Sequence, residues 1–290
     1  MLQNTSPIVS ISSMAMLVEL RVSTWTARKR DSETSMDVNI TKEADQSASS
    51  VYKYLMAGSN HLDKIIKYAA KCRQWNGVQT LPWMKGVGLL PMESFFKYRE
   101  QLGTLESNFR TLCEEFFVAY PTLVNTQAFR LGKYYKAEEF PHVDSLRGRF
   151  RFEYNFLPVP EKGDFRVVCE QRVKADLEEQ YEKMYQEKVQ VAVRQPWERL
   201  HEVLVKMSAT LTDSADGTRS IFRDSLVTNA TSMCGMLTLL NITKDPELER
   251  ARQMLERVIN GVDADDLRKL PSARVELKAG VDEIIGKFNW

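Results

Sequence analysis

The chain has 290 residues, 27% of them charged and 43% hydrophobic, a balance that excludes a disordered or collagen-like chain and suits one large domain or two smaller ones. Its 40 Lys and Arg against 39 Asp and Glu leave no whole-molecule field, so affinity for nucleic acid must come from a local basic patch. The four cysteines, Cys72, Cys113, Cys169 and Cys234, form no C-x-x-C pair. That excludes a disulfide framework and a paired-cysteine zinc site, and points to free thiols in a reducing compartment.

The first apolar stretch, Ile8 to Val22, follows no basic segment and is interrupted by serines and Glu19. It falls short of the ~20 apolar residues of a membrane span, so neither a signal peptide nor a transmembrane helix is expected. The expected location is the cytoplasm. Within that stretch Val18, Leu20 and Val22 alternate with Glu19, Arg21 and Ser23, the period of a half-buried strand. Arg28, Lys29 and Arg30 then read as a basic turn, and 31–49 as a polar loop entering a helix. Val51 and Leu55, then Leu62, Ile65, Ile66 and Ala69, have helical spacing, broken at Gly58-Ser59-Asn60. Residues 76–91, punctuated by Gly77, Pro82, Gly86, Gly88 and Pro91, form the least regular part of this half. Trp75, Trp83, Leu89 and Leu90 sit there, so the segment either packs over the core or lines a cleft.

From Met92 to Phe117 apolar residues recur every three or four positions, and Tyr120-Pro121 is expected to stop that helix. A shorter helix follows over Leu123 to Tyr135. Residues 146–156 then alternate, Arg147, Arg149 and Arg151 on one face and Phe150, Phe152, Tyr154 and Phe156 on the other, and predict a strand. Beyond a turn at Pro158–Gly163 the pattern is helical nearly to the end. A long helix over 166–195, kinked or restarted at Pro196-Trp197, continues to Leu211. A turn follows over 212–218, then a helix through Phe222, Leu226, Asn229 and Leu237. Asn229 occupies an apolar position of this stripe and is expected to fix helix register. Asp245-Pro246-Glu247 is a strong helix start, and a last helix begins near Pro271. The expected fold is therefore mainly α. A long helical hairpin fills the C-terminal half (161–290), and a small antiparallel β element with covering helices fills the N-terminal half (1–160).

No phosphate-binding loop, H-E-x-x-H or other metal-ligand spacing occurs, and Gly86-Val87-Gly88 is only a fragment of a dinucleotide fingerprint. No cofactor, metal or catalytic residue is assigned, and the protein reads as a non-enzyme. Arg147, Arg149 and Arg151 on one strand face would stand about 7 Å apart, near the spacing of phosphates on a nucleic-acid strand. Arg28, Lys29 and Arg30 could extend that patch, with Trp25 or Trp83 as stacking surface for bases. An enzyme with a cleft near 75–91, examined first at Trp83 and His61, is a third reading.

Several segments carry a resemblance: Ser23-Thr-Trp-Thr-Ala-Arg-Lys with Asp31, Thr80-Leu-Pro-Trp83, Gly88-Leu-Leu-Pro91, Tyr120-Pro121, Pro158-Val-Pro160, Asp164-Phe-Arg-Val167, Asn241-Ile-Thr-Lys-Asp-Pro246 and Asp266-Leu-Arg268. Spread from end to end, they resemble a tailed-phage protein family catalogued only as a domain of unknown function. Its members are often encoded near a MoxR-type AAA ATPase and a von Willebrand A-like protein. The resemblance implies a phage origin, host cytoplasm as location and an ATPase as partner, and it brings no catalytic residues. The leading expectation is accordingly a non-enzymatic accessory protein that binds a protein partner, as an oligomeric adaptor for an AAA ATPase. The alternative is a single-stranded nucleic-acid-binding or annealing protein that uses the arginine strand.

Overall fold

A computed structural model describes residues 11–160, 171–212 and 225–290. In chain order the elements are α1 (Ile11–Met14), β1 (Ala15–Ser23), β2 (Arg28–Asp31), α2 (Ser32–Thr41), β3 (Val51–Tyr54), α3 (Asn60–Gln79), β4 (Leu81–Met84) and β5 (Val87–Pro91). There follow α4 (Phe95–Leu131), α5 (Val143–Arg147), β6 (Arg151–Pro158), α6 (Gln171–Leu211), α7 (Ser225–Leu240), α8 (Pro246–Ile259), α9 (Ala264–Lys269) and α10 (Pro271–Lys287). The protein is mainly α, with a small antiparallel sheet in its N-terminal half and long helices in its C-terminal half. The Asp164–Val167 segment, Cys169, Phe222 and most of the turns expected at 158–163 and 212–218 lie outside the described residues. Among the described residues no helix is long and apolar enough to cross a membrane.

Two units make up the chain: Met1–Glu19 with Asn76–Tyr98 and Asn155–Trp290, and Leu20–Trp75 with Arg99–Tyr154. The first is dominated by a helical core. Leu200, Leu204, Met207 and Leu211 of α6 meet Leu226, Ala230, Cys234 and Leu237 of α7, Leu248, Ala251 and Leu255 of α8, and Leu277, Val281 and Ile284 of α10. Each set recurs at three- and four-residue steps, which gives each helix one apolar stripe to bury. Asn229, expected inside the α7 stripe, is exposed, and Ala230 takes the buried position. The α8 start is as the sequence reads: Asp245 accepts from the Glu247 and Leu248 amides at 2.9 and 3.4 Å, and Pro246 opens the helix.

Strands lie in the order β4-β5-β1-β6, which sets the N-terminal strand beside the strand expected at 146–156. β5 pairs antiparallel with β1, Leu17 opposite Leu89, and β4 pairs with β5. Residues 76–91, expected to be irregular, are thus the end of α3 and a strand pair. Gly86, at φ 81°, makes the turn. A Cβ on Gly88 would fall 2.3 Å from Thr80 Oγ1, so that strand position admits only glycine's bare backbone. Leu81, Trp83 and Leu89 pack with Ile11, Leu17 and Ala192 in a second core cluster.

The other unit is built on α4. Phe109, Phe116 and Tyr120 bury one face of that helix, and Phe152 and Phe150 pack on Phe109 and Phe116 with ring centroids 5.7 Å apart in each pair. Pro121, expected to end this helix, lies inside it. Proline forfeits one amide and crowds the carbonyl four residues back. Here Phe116, Phe117 and Tyr120 pack just before it, buried Gln127 beyond it donates to the Ala57 carbonyl at 3.3 Å, and the Tyr120 hydroxyl donates to the Pro141 carbonyl at 2.9 Å. The same override carries α6 through Pro196.

In the first unit Arg199 of α6 donates to the carbonyls of Gly77, Val78 and Thr80 at 2.7–2.8 Å. These are acceptors that the end of α3 leaves unused, and a cation suits the negative end of that helix dipole. Arg199→Met should lower stability by about 2–3 kcal/mol, the worth of charged hydrogen bonds whose carbonyls are left unpaired. Thermal denaturation followed by circular dichroism measures it; an unchanged midpoint would refute the assignment.

Candidate nucleic-acid interface

Alternating residues on two short strands define the site. β2 and β3 pair antiparallel as a two-stranded ribbon, Arg28 opposite Tyr54, Lys29 opposite Lys53, Arg30 opposite Tyr52 and Asp31 opposite Val51. Side chains alternate faces along a strand, and cross-strand partners share a face. One face therefore carries Arg28, Arg30, Tyr52 and Tyr54, and the other Lys29, Lys53 and Asp31. The sequence reading of a basic turn at 28–30 and of helix at 51–55 is corrected here. Val51 and Leu55 alone fit a helical period, but with Tyr52 and Tyr54 exposed and Lys53 buried between them the segment alternates with period two.

The inner face is held by charge. Lys53, its side chain 5% exposed, lies 2.7 Å from Glu139 and 3.4 Å from Asp31, and donates to the Tyr134 carbonyl at 2.9 Å. Burial pulls the Lys53 pKa down, but Glu139 and Asp31 together outweigh it and leave the ammonium more basic than ordinary lysine. Asp31 is pushed below the ordinary carboxylate range, chiefly by the Thr34 amide, against the opposing effect of burial and with help from Lys53. The amide bond makes Asp31 the N-cap of α2 as well as the end of β2.

α2 is turned polar side inward. Ser35 and Asn39, one turn apart, are buried, and Met36 and Ile40 are exposed. Ser35 Oγ accepts from the Val51 amide at 2.9 Å, and Asn39 Nδ2 donates to the carbonyls of Gln46 and Ser49 at 3.0 and 3.3 Å. These bonds bring the chain back to start β3 in register. At the root of the ribbon Trp25 is buried edge-on against Tyr120, ring centroids 6.2 Å apart, and Ala27 takes φ 51° to turn into β2. The Leu55 amide closes that turn on the Ala27 carbonyl at 2.7 Å.

The outer face is open. Tyr54 is 58% and Tyr52 42% exposed. Arg28 lies over the Tyr52 ring, 4.0 Å from its centroid. Among the described residues no carboxylate pairs with Arg28 or Arg30, whereas Lys29, on the inner side, comes within 3.7 Å of Glu139.

The expected arginine ladder does not form. Arg147 ends α5, Arg149 lies in the following turn, and β6 begins only at Arg151. Fully buried Leu146 and the Gly148-Arg149 turn break the alternation at that point. Arg147 is committed locally, 2.6 Å from Glu114 and over the Phe117 ring at 4.4 Å, and Arg151 donates to the Gly148 carbonyl at 2.9 Å. Trp25 and Trp83 are 6% and 5% exposed and offer no face to a base. Trp83 packs on Tyr185 as core, and His61 lines a shallow depression with Arg110, Glu114 and Val118. Of the expected site, the structure brings Arg28 and Arg30 together on one face, sets Lys29 on the other, and adds Tyr52 and Tyr54.

The three thiols among the described residues, Cys72, Cys113 and Cys234, are not poised for chemistry. Burial pushes Cys113 to about 12 and Cys234 to about 11 and raises Cys72 as well, so each keeps its proton. Among the described residues no group of three His, Cys, Asp or Glu is placed to hold a metal ion. In the first unit a groove of about 1160 Å³ runs along α6, lined by Val189, Val193, Trp197, His201 and Val205 and walled by Trp290. His201 stacks on Trp290, 4.8 Å between centroids. The Trp197 and Trp290 indole N–H groups donate away to Asp245 and to the Ile285 carbonyl. No family model matches the chain, and no curated protein or solved structure matches it.

Lys53→Met should cost about 3 kcal/mol by leaving Asp31 buried without a cation and Glu139 with only Lys29, 3.7 Å away, and Lys53→Met with Glu139→Leu should recover part of it. The sign of the pH dependence follows from the two shifts. Asp31, lowered, contributes stability above its ordinary 3.8 that is lost as pH falls through its folded value. Lys53, raised, contributes below its ordinary 10.5 and loses the contribution as pH rises through its folded value. The gap between wild type and Lys53→Met should be flat from about pH 5 to 9 and narrow outside that window. Urea unfolding across pH reads this directly, and a gap that widens in acid would contradict it.

Proposed function

We propose that the protein binds single-stranded nucleic acid through the outer face of the β2–β3 ribbon. The observation that carries this reading is the pair Arg28 and Arg30, two residues apart on one strand, exposed and, among the described residues, free of carboxylate partners, beside two exposed tyrosines. Guanidinium groups at that spacing, about 7 Å, suit successive phosphates of an extended strand. The charge balance supports it as well. The unit that carries the ribbon holds 18 Lys and Arg against 14 Asp and Glu, and the other holds 22 against 25, a polarity that near-neutrality of the whole chain conceals.

The test is fluorescence anisotropy of labelled oligo(dT) at low and moderate salt. Wild type should bind, and more weakly as salt rises. Arg28→Ala with Arg30→Ala should weaken binding at least tenfold, about 1.4 kcal/mol, and reduce the salt slope by about 1.4, two phosphate contacts on a single strand. Arg147→Ala with Arg151→Ala should leave both unchanged. Absence of binding at micromolar protein in low salt would remove the reading.

A second reading rests on the α6 groove. Its apolar lining recurs every fourth residue over some 20 residues, the footprint of a helical segment laid along α6. On this reading the protein is a phage accessory factor that docks a protein partner, with the AAA ATPase implied by the resemblance as the candidate. Val193→Glu with Val205→Glu should abolish co-elution with a MoxR-type ATPase on a sizing column. Co-elution that survives both substitutions would count against the groove.

A further inference from the structure

We propose that Tyr54 is the platform on which one unpaired base stacks, and that this ring makes the ribbon select single strands over duplex; the proposal rests on the nucleic-acid reading above. The two outer tyrosines are not equivalent. Tyr52 has a ring face occupied by the Arg28 guanidinium, 4.0 Å away, so it serves to hold that arginine in place. Tyr54 stands directly opposite Arg28 across the ribbon and is the more exposed of the two at 58%. Among the described residues no ring and no cation covers it.

Arg28 and Tyr54 thus form a cross-strand pair, one a phosphate fork and the other a bare π face, about 5 Å apart between their backbones. A nucleotide presents the same two features, a phosphate and a base face, at a comparable separation. In a duplex both faces of each base are already stacked, so a ring at the protein surface gains nothing from them. An unpaired base has a free face, and stacking on an aromatic side chain contributes about 1–3 kcal/mol whatever the base. Charge alone would not discriminate, because duplex DNA carries the denser array of phosphates. The ribbon should therefore tolerate any sequence and require unpaired bases.

Three probes of equal phosphate count separate the contributions: oligo(dT), the same backbone with abasic residues, and a duplex. Wild type should bind oligo(dT) about tenfold more tightly than the abasic strand, the worth of one stacked base at 1.4 kcal/mol per decade, and more tightly than the duplex. Tyr54→Ala should erase the preference over the abasic strand and keep the salt-dependent binding of both strands. Tyr54→Trp should keep the preference and add fluorescence quenching on oligo(dT), absent with the abasic strand. Tyr54 is exposed, and unchanged thermal melting checks that each variant folds. Equal wild-type affinity for oligo(dT) and the abasic strand would overturn the platform while leaving the arginine reading intact. So would duplex bound as tightly as oligo(dT). Failure to bind all three would overturn the underlying reading itself.

Discussion

A buried ammonium is the constraint on which the ribbon depends. A two-stranded sheet is marginal in water, because it has little apolar surface to bury. Here the missing stabilisation comes from Lys53, held by Glu139 and Asp31 and by the Tyr134 carbonyl. Removing three charged groups from water is costly, and the arrangement holds because the geometry is close, Asp31 also accepts from the Thr34 amide and Lys53 donates to the Tyr134 carbonyl. Asp31 illustrates this, since one carboxylate ends β2, caps α2 and pairs with Lys53. The consequence reaches the other side of the sheet. With the inner face anchored, Arg28, Arg30, Tyr52 and Tyr54 share the exposed outer face.

This division separates two uses of positive charge. Lys53 is structural and lies among acids. Among the described residues Arg28 and Arg30 have no such partners. Arg147 belongs with the structural group, because Glu114 and the Phe117 ring already engage it. An arginine's value for recognition is set by what has been left unpaired around it, which a count of basic residues does not reveal.

Much of the fold is legible in the residues. The apolar stripes of α7, α8 and α10, the cap at Asp245 and the alternation in β1 all follow from local periodicity, and local periodicity is what those elements obey. Reading fails where tertiary packing overrules a local rule. Pro121 and Pro196 look like helix breakers, yet aromatic and aliphatic packing carries α4 and α6 through them. β3 is too short for its period to stand out against the helical spacing of Val51 and Leu55, so Tyr52 and Tyr54 went unseen. The arginine ladder fails for a related reason: a helical turn and a strand share the basic run from 147 to 151, and alternation counted across the join describes neither. The α6 groove has no sequence signal of its own, because one helix buries some of its apolar positions and exposes others.

The order in which the two units close follows from their discontinuous chain segments. One draws only on residues up to Tyr154, and every partner it needs has been synthesised by the time that residue leaves the ribosome. The other packs Ile11 and Leu17 against Ala192, Leu240 and Ile242, contacts separated by well over half the chain. Such contacts carry a high loop-closure cost and form late. The first segment to emerge therefore lacks part of its core until α6 and the end of α7 have been made. Every chain segment of the ribbon unit is thus available before most of the helical unit has been made.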